Sequence, residues 1–343
     1  MSTQTENPIA PDGINAESVT AWLTQHVAAA KPPFEFSLIA GGRSNLTYMC
    51  KDAMGNAFVL RRPPLGHVLE SAHDMGREHK IIAALAGSGI PVAPAHGLCS
   101  DPAVNDAPFY IMDFVPGQVF NGVDDVAGFD SQARMGITDD VIVHLANLHA
   151  IDPDRVGLGD LGRKEAYLER QLKRWTKQWL AAKTHEIPEM DECARRLAGP
   201  PKQIGASIVH GDYRVGNMIL AGSKVQAILD WELCTLGDPL ADLGYLLNWW
   251  VQPGEDGSDT NPIGAGGFGT REYLAERYAE LTGRDLSQIN YYRAFSHWRL
   301  ASIGQGVYKR YLMGAMADTD DVDLEQQKEG VQLRARAALE LLG

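Results

Sequence analysis

The chain has 343 residues and a formal net charge of -13, with 45% hydrophobic and 22% charged residues. That length supplies roughly two domains' worth of core, and that acidity argues against a phosphate backbone as partner, so no nucleic acid is expected. No apolar run approaches the roughly 18 residues of a membrane span, and the polar start MSTQTENPIAPDG lacks the basic and apolar regions of a secretory signal.

Residues 1–13 are expected to form a disordered tail. Behind a cap at Asn15, Glu17 to Ala29 places Val19, Trp22, Leu23, His26 and Val27 at helical spacing. The period then changes. Phe34 to Ile39 alternates apolar and polar residues, Leu46 to Lys51 does so less cleanly, and Ala57 to Arg61 follows the turn signal Met54-Gly55-Asn56, which predicts three antiparallel strands. Between the first two lies AGGRSN, where Gly41 and Gly42 remove side chains and let backbone amides approach an anion. A plain hairpin turn is the other reading of that loop.

In FVLRR, Val59 and Arg61 point to one face of the third strand, so a cation lies beside a small apolar residue that could roof a base. The next segment, MGREHKIIAAL, is a helix in which Glu78 precedes Ile81, Ile82 and Leu85 at helical spacing, turning a carboxylate toward the core. An inward carboxylate needs a cation, and Arg61 is the natural candidate. The alternative leaves Glu78 at the edge of the apolar face and Arg61 as a solvated strand end. Pro91, Pro94 and Gly97 interrupt the chain before a fourth strand, Ala95 to Cys99, and Pro108 to Phe114 predicts a fifth. VPG at Val115 to Gly117 is the expected boundary, separating residues 14–115 from a helical portion, 116–343.

Ser131 to Ile151 and Arg163 to Leu180 are expected helices. The second carries Arg163, Lys164, Arg170, Lys173, Arg174 and Lys177, with Trp175 and Trp179 on one side. It is either a solvated face over an aromatic seam or a site for an anion. Then comes HGDYRVGN, His210 to Asn217, followed by Met218 to Leu220 and Val225 to Asp230, which predict a small hairpin with Asn217 and Asp230 at its ends. Asn217 and Asp230 offer hard oxygen ligands suited to Mg2+, and Asp212 can accept the proton of an attacking hydroxyl. In LGDPLADLGYLLNWW, Asp238 is expected to cap a helix with Pro239 at its first position and Asp242 in its first turn, so both acids are given structural roles.

The ordered set AGGRSN, FVLRR, REHKIIAAL, FYIMDFVPG, LANLHAID, HGDYRVGN, ILDWE and GDPLADLGYL resembles the aminoglycoside phosphotransferase and choline kinase superfamily, which shares the protein kinase fold. Within it the chain is most similar to the kinase-like domain that precedes the dehydrogenase domain in certain animal acyl-CoA dehydrogenases, and to stand-alone bacterial relatives. The resemblance implies an α+β, bilobal protein-kinase-like fold, with a small antiparallel-sheet N-lobe that binds nucleotide and a larger helical C-lobe. It implies ATP and Mg2+ as cofactors, Asp212 as the catalytic base, and Asn217 and Asp230 as metal ligands. Gly42, Ser44 and Asn45 would lie over the phosphates, Glu78 would partner the phosphate-contacting Arg61, Met112 would sit behind the adenine, and backbone at Asp113 and Val115 would pair to its edge. The chain departs from the pattern in one respect: the strand cation, usually lysine, is Arg61, with Arg62 beside it.

GAGGFG at Gly264 to Gly269 satisfies GxGxxG, but the polar QPGEDGSDTNPI precedes it where a dinucleotide fold needs a strand, so a loop near the acceptor site is expected instead. Cys50, Cys99, Cys193 and Cys234 form no CxxC pair, which argues against a zinc ribbon or redox dithiol and fits a reducing cytoplasm. The expected activity is phosphoryl transfer from ATP to the hydroxyl of a small molecule, a hydroxyacyl-CoA or hydroxy acid. The alternatives are an aminoglycoside-type phosphotransferase and, from another class, a non-catalytic nucleotide-binding pseudokinase.

Overall fold

A computed structural model describes residues 10–40, 45–66, 74–314 and 323–343. The chain forms two compact units, Met1–Gln118 with Gln226–Glu232, and Val119–Val225 with Leu233–Gly343.

In the smaller unit, α1 (Ala16–His26) starts at Asn15, whose side chain accepts the Ser18 N–H at 3.3 Å, and it buries Val19 and Leu23. It ends three residues before the expected Ala29, because Val27 is already extended while its N–H closes the last turn on Leu23. A meander follows: β1 (Phe34–Ala40), β2 (Leu46–Asp52) and β3 (Ala57–Arg62). The Asp52 carboxylate fixes the turn before β3 by accepting the Met54 and Asn56 N–H groups at 2.9 and 2.8 Å. Next come α2 (Met75–Leu85), β4 (Ala95–Cys99), α3 (Pro102–Asn105) and β5 (Phe109–Asp113). The strands form one antiparallel sheet in the order β1-β2-β3-β5-β4.

Strand parity divides this unit into two faces. Phe58 and Leu60 join Tyr48, Cys50, Phe109 and Ile111 against Val19, Leu23 and Val27 of the α1 segment. Val59 pairs in register with Met112, and Arg61 with Tyr110, on the opposite face. A slip of one residue would exchange Arg61 for Arg62 and turn Phe58 and Leu60 out of their core, and each buried side chain of that size is worth about 1.5–3 kcal/mol. Hydrophobic burial thus fixes which arginine faces which way.

In the larger unit, α4 (Ser131–Ala150), α5 (Tyr167–Ala182) and α6 (Pro188–Arg196) precede β6 (Ser207–Val209), β7 (Met218–Ala221), β8 (Lys224–Ile228) and β9 (Thr235–Gly237). β6 pairs antiparallel with β9. β7 and β8 are the runs expected as a hairpin, and the division between the units falls within β8, after Val225. The rest is helical: α7 (Leu240–Trp249), α8 (Arg271–Thr282), α9 (Ile289–Leu312) and α10 (Leu324–Leu342). The expected helix at Arg163 begins only at Tyr167, since Ala166 adopts a left-handed φ of 52° that no helical turn accommodates. α9 is the central helix, packed against α5, α6, α7 and α10. Its approach to α7 requires Gly244, where a Cβ would meet the Tyr292 carbonyl carbon at 2.9 Å and the Arg293 nitrogen at 3.0 Å. Among the described residues no helix is long and apolar enough to cross a membrane.

Candidate active site

The smaller unit holds an ion-pair chain on the Val59 face of its sheet. Arg61 Nε lies 3.1 Å from Glu78 Oε2, and Arg61 Nη2 donates to Asp230 Oδ1 at 2.8 Å. Glu78 is 2% exposed, on the buried stripe of α2 with Ile81, Ile82 and Leu85, where the spacing put it. Burial pushes its carboxyl above the usual range, against the pull of Arg61. Burial would lower the guanidinium of Arg61, but Glu78, with Asp230 adding to it, holds it above the ordinary arginine value. Arg62 faces the other way, donating to the carbonyls of Gly13 and Asn105. A lysine at position 61 would have to meet both carboxylates from one nitrogen, whereas the guanidinium spans them with two nitrogens held in a rigid plane. Asp230 itself has a left-handed φ of 64°, which a short acidic side chain tolerates better than a bulky one.

Further along this unit, Met112 is buried opposite Val59. The Asp113 N–H bonds the Pro94 carbonyl at 2.9 Å. Proline has no N–H with which to return that bond, so the Asp113 carbonyl is an acceptor that Pro94 cannot satisfy. Val115 follows at the end of the strand. Asn45 is buried at the start of β2, whereas Gly42 and Ser44, with the rest of the expected phosphate loop, lie outside the described residues.

In the larger unit the HGDYRVGN loop is built around two acids. Asp242, fully buried in the first turn of α7, accepts the His210 and Gly211 N–H groups at 2.6 and 2.9 Å and lies 3.4 Å from His149 Nε2. Burial would raise its carboxyl, but His149 and these bonds keep it below the usual range. Gly211 is required where it stands, because its φ is 86° and a Cβ would meet the Leu233 carbonyl oxygen at 2.9 Å. Arg299 of α9 clamps the Gly211 carbonyl at 2.8 Å. The loop therefore delivers Asp212 in a fixed orientation. Its Oδ2 accepts from Asn217 Nδ2 at 2.8 Å, its Oδ1 accepts the Tyr245 hydroxyl, and Arg214 Nε is 3.6 Å away. Asn217 Nδ2 also donates to the Asp212 carbonyl at 2.9 Å, so both amide hydrogens are engaged and its Oδ1 is the atom that could meet a cation.

Beside Arg214 a cleft of about 860 Å³ opens within the larger unit, walled by Trp249, the 254–263 segment, α9 and α10. The segment is tied down: Glu255 pairs bidentately with Arg271, and Asn261 Nδ2 donates to the Trp249 carbonyl at 3.1 Å. The GAGGFG run is likewise held, with Gly269 N–H on Thr138 at 3.0 Å and Arg134 on the Gly266 carbonyl at 2.8 Å, and no strand precedes it. The basic helix α5 takes no part in the cleft walls. Lys173 and Lys177 line a separate shallow groove with Leu172, Leu180 and Ala198.

Sequence reading missed several groups. Pro239 proves to be the residue before α7 rather than its first, though Asp238 Oδ1 still accepts the Leu240 N–H at 3.1 Å. Asp242 is more than a helix-terminal acid. Tyr245 lies three residues beyond it, one turn along the same helix, and that was its only signal. Arg293, His297 and Leu300 recur at helical spacing on α9 and all line the cleft, a pattern that was legible but carried no motif.

An antiparallel five-stranded sheet with a buried cation–carboxylate pair, together with a helical unit presenting an acid on a loop, is the protein-kinase-like arrangement of the small-molecule phosphotransferases. The chain belongs to the phosphotransferase enzyme family, whose model matches residues 35–278. It is 36% identical over 290 residues to mouse (Mus musculus) acyl-CoA dehydrogenase family member 10, covering 82% of this chain and 27% of that protein. With human (Homo sapiens) member 11 it shares 31% identity over 318 residues, covering 89% of this chain and 40% of that one. The chain thus spans well under half the length of these relatives. A provisionally assigned aminoglycoside phosphotransferase of Ralstonia eutropha, 33% identical, superposes with a TM-score of 0.80 over 95% of this chain and 97% of its own. The GDP complex of aminoglycoside 2'-phosphotransferase-IIIa, at 13% identity, shares the fold with a TM-score of 0.65 over 94% of this chain and 99% of its own.

Proposed function

We propose that this protein is an ATP- and Mg2+-dependent kinase that transfers the γ-phosphoryl group to the hydroxyl of a small molecule, a hydroxyacyl-CoA or related hydroxy acid, in a reducing cytoplasm. The observation that carries the reading is the Asp212 carboxylate, fixed between Asn217 and the Tyr245 hydroxyl, with Arg214, which lines the cleft, 3.6 Å away. Asp212 orients the acceptor hydroxyl and takes its proton as the phosphoryl group moves. Arg61, held by Glu78, contacts the nucleotide phosphates. The Asp113 carbonyl, which Pro94 cannot satisfy, and the Val115 N–H pair with the adenine edge, and Met112 lies behind the ring. Asn45, with Gly42 and Ser44, covers the phosphates.

Asn217 Oδ1 and the second oxygen of Asp230 are hard oxygen donors, so the residues present fit Mg2+, which takes its other ligands from water and phosphate. The ion, when bound, neutralises charge on the transferring phosphates. In this reading Asn217 and Asp230 would hold it. Much of the rate then comes from positioning, which is what the bonds around Asp212 supply. Four free, buried cysteines support the reducing compartment.

A second reading has one observation in its favour. Arg61 already pairs with Asp230, and a permanent pair of that kind suits a nucleotide-binding pseudokinase. Coupled measurement of ADP release separates the two. Turnover that needs Mg2+ and a hydroxylated acceptor, and that falls at least about 10³-fold in Asp212→Ala, is expected for the kinase. Tight ATP binding without turnover on hydroxyacyl-CoAs, hydroxy acids, choline or aminoglycosides would leave the pseudokinase.

A further inference from the structure

The cleft beside Asp212 has a charge character opposite to that of the chain. Arg214, Arg271, Arg293 and Arg334 all line it, in a protein of net charge -13. Two of them have acidic partners: Arg271 holds Glu255 bidentately, and Arg214 lies 3.6 Å from Asp212. Arg293 and Arg334 differ. Arg293 donates to the neutral Asn248 Oδ1 at 3.1 Å, and Arg334 lies over the Trp249 ring at 5.6 Å. Neither has a carboxylate within 4 Å among the described residues. The other acids of the lining, Asp256 and Glu340, are exposed at its rim.

The surroundings register this surplus. Burial pulls both guanidiniums below the ordinary arginine value, and Arg271 adds to the effect on Arg293, outweighing the opposite pull of Glu255 and Glu272. His297, one turn along α9 from Arg293, is pushed down to about 3 by burial and by Arg334, Arg293 and Arg271. Its buried Nδ1 has no hydrogen-bond partner. Partly withdrawing two guanidiniums from water with no carboxylate in ion-pair contact is costly unless something anionic completes them.

We propose that Arg293 and Arg334 form the subsite for an anionic group, carboxylate or phosphate, carried by the phosphoryl acceptor. The inference rests on the kinase reading for the word acceptor. Trp249 ties the subsite to the chemistry: Arg334 and Arg214 both lie over its ring, at 5.6 and 5.1 Å, and Arg214 reaches toward Asp212. One small molecule can therefore present its anion to Arg293 and Arg334 and its hydroxyl to Asp212. Trp249, Leu300 and Ala337 offer apolar surface to the carbon skeleton between. A polycationic acceptor is excluded by the same residues.

Calorimetric titration of the full chain without nucleotide tests this, with 3-hydroxybutyrate as the carboxylate probe, coenzyme A as the phosphate probe and kanamycin as the cation. Wild type should bind at least one anionic probe and not kanamycin, and Arg293→Met and Arg334→Met should each weaken that binding about tenfold or more. Which probe binds separates carboxylate from phosphate. Undiminished affinity in both variants, no binding of either anionic probe by wild type, or preference for kanamycin overturns the proposal. If a variant fails to fold, salt dependence of wild-type binding decides: salt-insensitive binding overturns it, and progressive weakening supports it. Anion binding at these arginines without turnover would retain the subsite and remove the kinase. Turnover of neutral alcohols with KM unchanged in the variants would do the reverse.

Discussion

Replacing Asp242 distinguishes a helix-terminal charge from a carboxylate that builds the HGDYRVGN loop. If Asp242 only complemented the positive end of α7, its loss would cost about 0.3–1 kcal/mol. The structure gives it two buried backbone partners, His210 at 2.6 Å and Gly211 at 2.9 Å, and a contact to His149. A buried N–H left without an acceptor costs about 1–3 kcal/mol, so Asp242→Ala should lose about 2–6 kcal/mol. Asp242→Asn retains one acceptor and sets an amide against the other N–H, for a loss of about 1–3 kcal/mol. Urea unfolding at neutral pH, followed by the fluorescence of the buried Trp250 and Trp298, reads these differences. The folded-state pKa of Asp242 is depressed, so its contribution is present above the unfolded value of about 3.9 and is lost as pH falls through the lower folded value. Wild type and Asp242→Asn should therefore converge in strong acid. A loss below about 1 kcal/mol in Asp242→Ala, within the helix-terminal range, would refute the role assigned to this residue.

Arg61→Met leaves Glu78 buried without its cation and should destabilise the protein by about 3–5 kcal/mol in thermal unfolding, while Arg61→Met with Glu78→Met recovers most of it; additive losses would contradict the pairing. His297, half-buried and neutral, takes up its proton only on unfolding until about pH 3, so stability should fall on acidification from about pH 6.5 with a contribution of up to about 1.4 kcal/mol per pH unit, and His297→Asn should flatten that slope. Gly244→Ala forces a Cβ onto the α9 backbone and should cost about 1–3 kcal/mol by denaturant titration, with weaker acceptor binding because Arg293 shares the contact.

The smaller unit was legible because its strands alternate and burial constrains their parity. Val59 and Arg61 on one face, and Glu78 three and four residues before Ile81 and Ile82, follow from periods of two and 3.6, and those residues lie as the periods place them. The HGDYRVGN loop was legible as a motif, since acid and amide five residues apart meet through one short turn. What a local window could not supply was long-range convergence. Tyr245 reaches Asp212 across 33 residues, Arg299 reaches Gly211 across 88, and the cleft arginines come from four separate elements. The basic helix α5 was the more conspicuous positive segment in the sequence, but a run of charge is as often a solvated face as a binding site. The scattered arginines acquire meaning only once α8, α9 and α10 are folded.

The assignment of Gln226–Glu232 to the smaller unit bears on the order in which the protein is made. Domains emerging from the ribosome generally fold as units, N-terminal first. Here the N-terminal unit stays one segment short until residue 232 has been synthesised, well after its sheet is complete, and the missing segment contains Asp230. In the interval Arg61 has only Glu78 to answer it. A truncation at Gln118 would freeze the chain in that state, so nucleotide affinity measured on such a fragment would report on a unit that lacks one of its own acids.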